Sequence, residues 1–230
     1  MNNTEYILRA LKKIANALGD LCNDAVFVGG AVVSLYIDDP AAEDVRPTKD
    51  IDLVWQVASL TELEQLRIKL TEKGFVQSAE NNVISRFQYA GIPIDVMSTQ
   101  TIGWSSTNRW FKPGFKHLET ISLGDTKLKI LSLPFFLATK YSAFKDRGWE
   151  DPRTSHDFED FVYILDNRTD MVEVLSSAPG EVLIFLKQAF REILNSPVLQ
   201  EAILGNLYYQ TQMERLKMIM DQIKIITDST

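Results

Sequence analysis

The apolar pattern of this chain changes period near Leu131. Before that point, short runs with strand alternation interleave with helical stretches. Beyond it, apolar residues recur at helical spacing. Side chains alternate across a strand and return every 3.6 residues or so on a helix, so the period reports the element. A chain with such a break folds as α+β, with a mixed α/β part over 1–130 and a helical domain over 131–230. The pattern predicts helices over 3–19, 31–37 and 61–73, and strands over 25–28, 50–56, 75–78, 83–89 and 91–97, with a turn near Asn81 and Asn82. Thr61 and Glu64 form a capping-box pattern for the third helix, and Gly74 stops it. A hairpin follows over 119–123 and 126–130. Helices over 132–146, from Ser155 onward, and over 180–195, 197–206 and 207–227 complete the chain.

The stretch from Phe27 to Val54 holds the densest chemistry. Gly29 and Gly30 form a turn between an apolar run and a helical run. Such a turn lets backbone approach a ligand, and the helix after it offers free N–H groups to a phosphate. A polar, proline-containing loop over 38–48 then leads to Asp50 and Asp52, two carboxylates inside an apolar strand pattern. Residues i and i+2 of a strand share a face, so the two acids project together while Ile51, Leu53 and Trp55 face the other way. Paired carboxylates repel unless a cation lies between them, and hard oxygen donors suit Mg²⁺. The combination reads as a site for a metal-bound nucleoside triphosphate.

These residues carry a family resemblance. Val28-Gly29-Gly30, followed about twenty residues later by Asp50-Ile51-Asp52-Leu53, resembles the signature of the nucleotidyltransferase fold of the DNA polymerase β superfamily. The fuller strings VGGAVVSLY and RPTKDIDL resemble the AbiEii-like branch, which includes toxins of bacterial abortive-infection and toxin–antitoxin systems. The resemblance spans roughly residues 25–166. It implies a nucleotidyltransferase-type mixed sheet flanked by helices, and Mg²⁺ or Mn²⁺ held by Asp50, Asp52 and Asp95. Asp95 is the acid available for the family's third carboxylate, on a strand where Ile94 and Val96 face a core.

In two-metal transfer, ions about 3.5–4 Å apart bridge the attacking and leaving oxygens. The pattern L-P-x-x-L-x-x-K ending at Lys140 resembles the helix that supplies an active-site lysine in this branch. Its other reading is a lysine that snorkels from an apolar helix. The segment His156 to Asp160 resembles the family's R/K-D-x-x-D-L motif, with His156 and Phe161 as departures. Asp157 and Asp160 are neighbours on one helical face, where either could pair with Lys140 or Arg147 or serve the nucleotide. Gly29, Gly30, Ser34, Arg46 and Thr48 complete the nucleotide-binding set, with Arg46 open to a carboxylate or a triphosphate partner.

The implied activity is transfer of a nucleoside monophosphate from an NTP to a hydroxyl, in a toxin-type bacterial enzyme with the tRNA 3′ end as acceptor. A small molecule or protein side chain would use the same residues, and a nucleotide-binding module without catalysis is the rival of another class. A cognate antitoxin is an implied partner, and the helical C-terminus offers a surface for it or for a homodimer.

Composition narrows the remaining classes. The 230 residues are 45% hydrophobic and 24% charged, enough for a substantial core. No apolar run approaches the roughly 20 residues of a membrane helix, and the N-terminus has the pattern of an amphipathic helix rather than a signal peptide. One cysteine, Cys22, excludes an internal disulfide and fits the cytoplasm as location. With two histidines, a Cys/His zinc cluster is not expected, and no Ser-His-Asp or Cys-His set stands out. The net charge of −7 means that any nucleic acid must be held by a local basic patch. Residues 101–117 interleave Trp104, Trp110, Phe111 and Phe115 with Arg109, Lys112, Lys116 and His117. They read either as a base-stacking, phosphate-holding surface or as a loop whose aromatics pack inward.

Overall fold

The computed structural model describes residues 2–77, 85–103 and 105–229. The turn expected at Asn81 and Asn82, the start of the 83–89 strand, and Trp104 lie outside the described residues. The chain divides into two compact units, Met1–Leu35 with Asp44–Ser132, and Tyr36–Glu43 with Leu133–Thr230.

In the first unit the strands are β1 (Ala25–Val28), β2 (Ile51–Trp55), β3 (Val76–Gln77), β4 (Arg86–Tyr89), β5 (Ile92–Ser98), β6 (Leu118–Leu123) and β7 (Thr126–Leu131). Among the described residues they form one mixed sheet in the order β3-β4-β5-β2-β1-β7-β6. β1 runs antiparallel to β2 and parallel to β7, and β2 runs parallel to β5. All four residues of β1 are buried, as a central strand covered on both faces requires.

Helix α1 (Asn3–Leu18) starts where the Asn2 side chain accepts from Glu5 N–H and ends at Gly19, at φ +56. It buries Ile7, Leu11, Ile14 and Leu18, each contributing about 1.5–3 kcal/mol of apolar burial. Helix α2 (Leu60–Glu72) is capped by Ser59, which accepts from Glu62 N–H, while the Glu62 carboxylate accepts from Ala58 N–H. The helix is therefore capped by Ser59 rather than Thr61, with Glu62 reaching back to the residue before the cap. The helix expected over 31–37 is a 3₁₀ helix, Gly30–Leu35. Its β-branched pair Val32 and Val33 and its brevity do not favour an α-helix. A one-turn helix, α3 (Phe111–Gly114), lies in the aromatic-basic stretch.

In the second unit, α4 (Leu133–Arg147) is buried from Leu133 through Ser142 and at Phe144, so it shows no amphipathic stripe. It packs against α5 (His156–Asn167), α6 (Met171–Ser176) and α7 (Gly180–Asn195), while α8 (Pro197–Gly205) and α9 (Gln212–Asp228) pack on α7. Aromatic rings knit this core: Phe144 lies 4.6 Å from Phe158, and Tyr141 lies 5.3 Å from Phe161, centroid to centroid. Residues 207–211 precede α9 as turn and irregular backbone, so the last helix starts later than its apolar pattern implies.

The segment Tyr36–Glu43 belongs to this helical unit. Tyr36 stacks on Phe136 at 4.3 Å. Arg168 donates to the Tyr36 carbonyl at 3.0 Å, and Asn167 O accepts from Asp38 N–H and Asp39 N–H.

Candidate active site

Gly29 has φ +72, and a Cβ there would lie 1.8 Å from Oδ2 of Asp52. Glycine is required at this position twice, for backbone conformation and for room. The register explains the closeness, since Val28 pairs with Asp52 across β1 and β2. A Cβ on Gly30 would lie 2.7 Å from a terminal nitrogen of Arg46 and 3.3 Å from Thr48 Oγ1. The turn is thus packed against the side chains that lead into Asp50. Thr48 donates to Asp50 Oδ1 at 3.3 Å.

Asp52 pairs in register with Asp95 on the parallel neighbour β5. Directly opposed residues share a face, so the two carboxylates stand side by side. Asp50 lies one residue before β2 and keeps the i, i+2 relation to Asp52. The three predicted acids are therefore gathered in the first unit, beside the glycine turn. Ser34 lies in the 3₁₀ helix that follows this turn, and its hydroxyl is buried without a hydrogen-bond partner among the described residues. That helix has only six residues, so the phosphate site expected at the N-terminus of a full α-helix is not present in that form.

A further residue, Arg86, completes the cluster. Its Nε donates to Asp95 Oδ1 at 2.7 Å and its terminal nitrogen to Asp95 Oδ2 at 2.6 Å. The same nitrogen lies 3.5 Å from Asp50 Oδ2. The hydrogen bonds and charge of Asp95, with the charges of Asp50 and Asp52 against partial burial, push the Arg86 pKa further above the ordinary guanidinium value. Arg86 is set in place by a two-residue turn, Ala90-Gly91, with φ +48 and +83. That turn pairs Tyr89 with Ile92 and, counting back, Arg86 with Asp95. The sequence signal was this Ala-Gly step between two alternating runs, from which the register can be counted.

Hard oxygen donors on one face, in room left by Gly29, suit Mg²⁺ or Mn²⁺ in donor chemistry. Among the described residues, no three His, Cys, Asp or Glu side chains converge as a finished metal cage. Here the positive charge against Asp95 and Asp50 comes from Arg86.

In the aromatic-basic stretch, Trp110 and Phe111 are buried and Phe115 is half-buried. Arg109 lies over the Trp110 ring at 4.8 Å, while Arg109, Lys112, Lys116 and His117 are exposed. Trp110 and Phe111 belong to the core, and the charges face solvent.

The second unit brings together Lys140, Asp157 and Asp160. Lys140 Nζ lies 2.6 Å from Asp160 Oδ2 and 3.4 Å from Asp157 Oδ1, and Arg147 Nε donates to Asp157 Oδ2 at 2.7 Å. Lys140 does not snorkel; its side chain is 7% exposed. Burial alone would raise the Asp157 carboxyl, but the Arg147 hydrogen bond and the charges of Lys140 and Arg147 hold it below the ordinary carboxylate range.

The family model described as "Nucleotidyl transferase AbiEii toxin, Type IV TA system" matches residues 9–217. The chain belongs to the AbiEii nucleotidyltransferase toxin family. A comparison with curated proteins finds no match. Among solved structures, the crystal structure of an antigenic nucleotidyltransferase-like protein from Paracoccidioides brasiliensis is similar at a TM-score of 0.52. That similarity covers 89% of this chain and 94% of that one at 18% identity, and it supports the nucleotidyltransferase fold. The AbiEii match runs through both the carboxylate cluster and the Lys140 network.

Proposed function

We propose that this AbiEii-family chain transfers a nucleoside monophosphate from an NTP to an acceptor hydroxyl with release of pyrophosphate, and that the acceptor is the 3′ end of a tRNA. The observation that carries the reading is the in-register pair Asp52 and Asp95 beside Gly29, with Asp50 two residues from Asp52. Asp50, Asp52 and Asp95 would hold Mg²⁺ or Mn²⁺, which supplies charge stabilisation at the phosphoryl group being transferred. Asp95 would activate the attacking hydroxyl, either through the metal it holds or as the general base. Gly29 leaves room for the Asp52 carboxylate and Gly30 for Arg46, and Arg46, Thr48 and the Ser34 hydroxyl offer donors to the triphosphate around that turn. The family pattern implies an active-site role for Lys140, while Asp157 and Asp160 serve either the nucleotide or the pairing with Lys140. A cognate antitoxin and a bacterial cytoplasmic setting accompany the reading.

Exposed Arg109, Lys112 and Lys116 offer local positive charge for RNA in a chain of net charge −7. That same net charge favours a second reading, a small cationic acceptor. Periodate-oxidised tRNA separates the two. Its terminal diol is destroyed, so label from an α-labelled NTP is expected on intact tRNA and absent from oxidised tRNA. Equal labelling of both, or labelling of an added aminoglycoside alone, overturns the 3′-end assignment.

A further inference from the structure

We propose that Arg86 is the resident counter-ion of the carboxylate cluster, and that a divalent cation binds there only by displacing the guanidinium from Asp95. The inference rests on the metal-dependent reading above and goes on to say what that metal must compete with. Asp50, Asp52 and Asp95 gather like charges that water alone would screen poorly in a partly buried site. Arg86 answers that charge directly, with a two-bond fork on Asp95 and a 3.5 Å approach to Asp50. Planar guanidinium and carboxylate match in this fork, and guanidinium stays charged at any pH of interest.

A hard cation needs the same Asp95 and Asp50 oxygens, and it would repel a guanidinium left within a few ångströms. Binding is therefore an exchange of one cation for another. The Arg86 side chain is 38% exposed, so its long stem has a route to solvent. Its backbone stays fixed by pairing with Asp95 in the β4–β5 hairpin. The free enzyme thus holds part of this negative charge compensated, and weak metal binding in the absence of nucleotide follows from the competition.

The test is Mn²⁺ binding to the full chain without nucleotide, read by electron paramagnetic resonance and calorimetry, for wild type, Arg86→Gln, Arg86→Lys and Asp52→Asn. Arg86→Gln is expected to bind Mn²⁺ about five- to tenfold more tightly than wild type, roughly the worth of one exposed charge-assisted fork. Arg86→Lys keeps the charge but loses the fork, and is expected to fall between them. Thermal melts check folding, and Mn²⁺ should raise the melting temperature of Arg86→Gln more than that of wild type. Should Arg86→Gln be poorly folded, tighter binding by Arg86→Lys carries the same conclusion. Wild-type binding that needs Asp52, together with equal or weaker binding by both Arg86 variants, overturns the exchange and leaves the metal site standing. No binding by wild type or the Arg86 variants, or binding indifferent to Asp52→Asn, overturns the metal reading itself.

Discussion

At the scale of single residues, two positions separate packing from chemistry. Gly29 sits at φ +72 with the Asp52 carboxylate in the space of a side chain. Gly29→Ala forces a left-handed alanine, costing about 1–2 kcal/mol, and pushes Asp52 from its place. A shift near 1 Å in a reacting constellation can cost about 100-fold in rate. The expected result is a folded, slightly less stable protein with at least that loss of nucleotidyl transfer; full activity would contradict the placing of Asp52. Lys140 makes a different prediction. Asp157 and Asp160 side chains are 7% and 2% exposed, and Lys140 is a counter-charge to both. Lys140→Ala is expected to cost about 3 kcal/mol in urea unfolding at pH 7, the low end for removing one partner of a buried ion network, because Arg147 remains on Asp157. The pH dependence has a definite sign. In the wild type, the folded Asp157 pKa lies below its unfolded value. That stabilisation is complete above the ordinary carboxylate range and is lost as pH falls through the folded value. In Lys140→Ala, Asp157 keeps only its Arg147 partner, so less of that stabilisation exists to be lost. The gap between variant and wild type should therefore stay constant above the ordinary carboxylate range and narrow as pH falls below it; a gap that stays constant there too would contradict the ion network.

At the scale of elements, the β4–β5 hairpin decides what faces Asp95. Its turn places Ala90 at φ +48 beside Gly91. Two-residue turns of this mirror type favour Asn-Gly, because Asn tolerates positive φ better than Ala. Ala90→Asn is expected to stabilise the protein by about 1 kcal/mol, read as a higher urea midpoint with an unchanged slope. A lower midpoint would mean that the turn is not of this type. The same hairpin shows where sequence reading succeeds and stops. Strand alternation puts Asp50 and Asp52 on one face opposite apolar residues, whereas Asp95 enters only through the family resemblance. Arg86 was missed because a strand arginine acquires meaning only once its register is known. Ser59-Glu62 and Thr61-Glu64 both fit a capping box, and the choice fell to the helix start that buries Leu63, Leu66 and Leu70. The six-residue α6 is too short to leave a periodic signal.

At the scale of the whole molecule, the chain passes between its two units at 35/36, 43/44 and 132/133. The change of period at Leu131 lies beside the last crossing. The first two have no such mark, because a polar loop with proline carries no period. That Tyr36–Glu43 belongs with the helices depends on partners far along the chain, including Phe136, Asn167 and Arg168. The net charge of −7 similarly describes the total and hides the exposed basic group around residues 109–117. The central claim concerns neither unit boundary nor charge, but the three carboxylates. The most direct measurement is label transfer from each α-labelled NTP, with Mg²⁺, to total tRNA and to the protein itself. It compares wild type with the Asp50→Ala/Asp52→Ala double variant. The account predicts label on tRNA from wild type alone, with the variant folded and reduced by about 100-fold or more. Equal labelling by the folded double variant would contradict it.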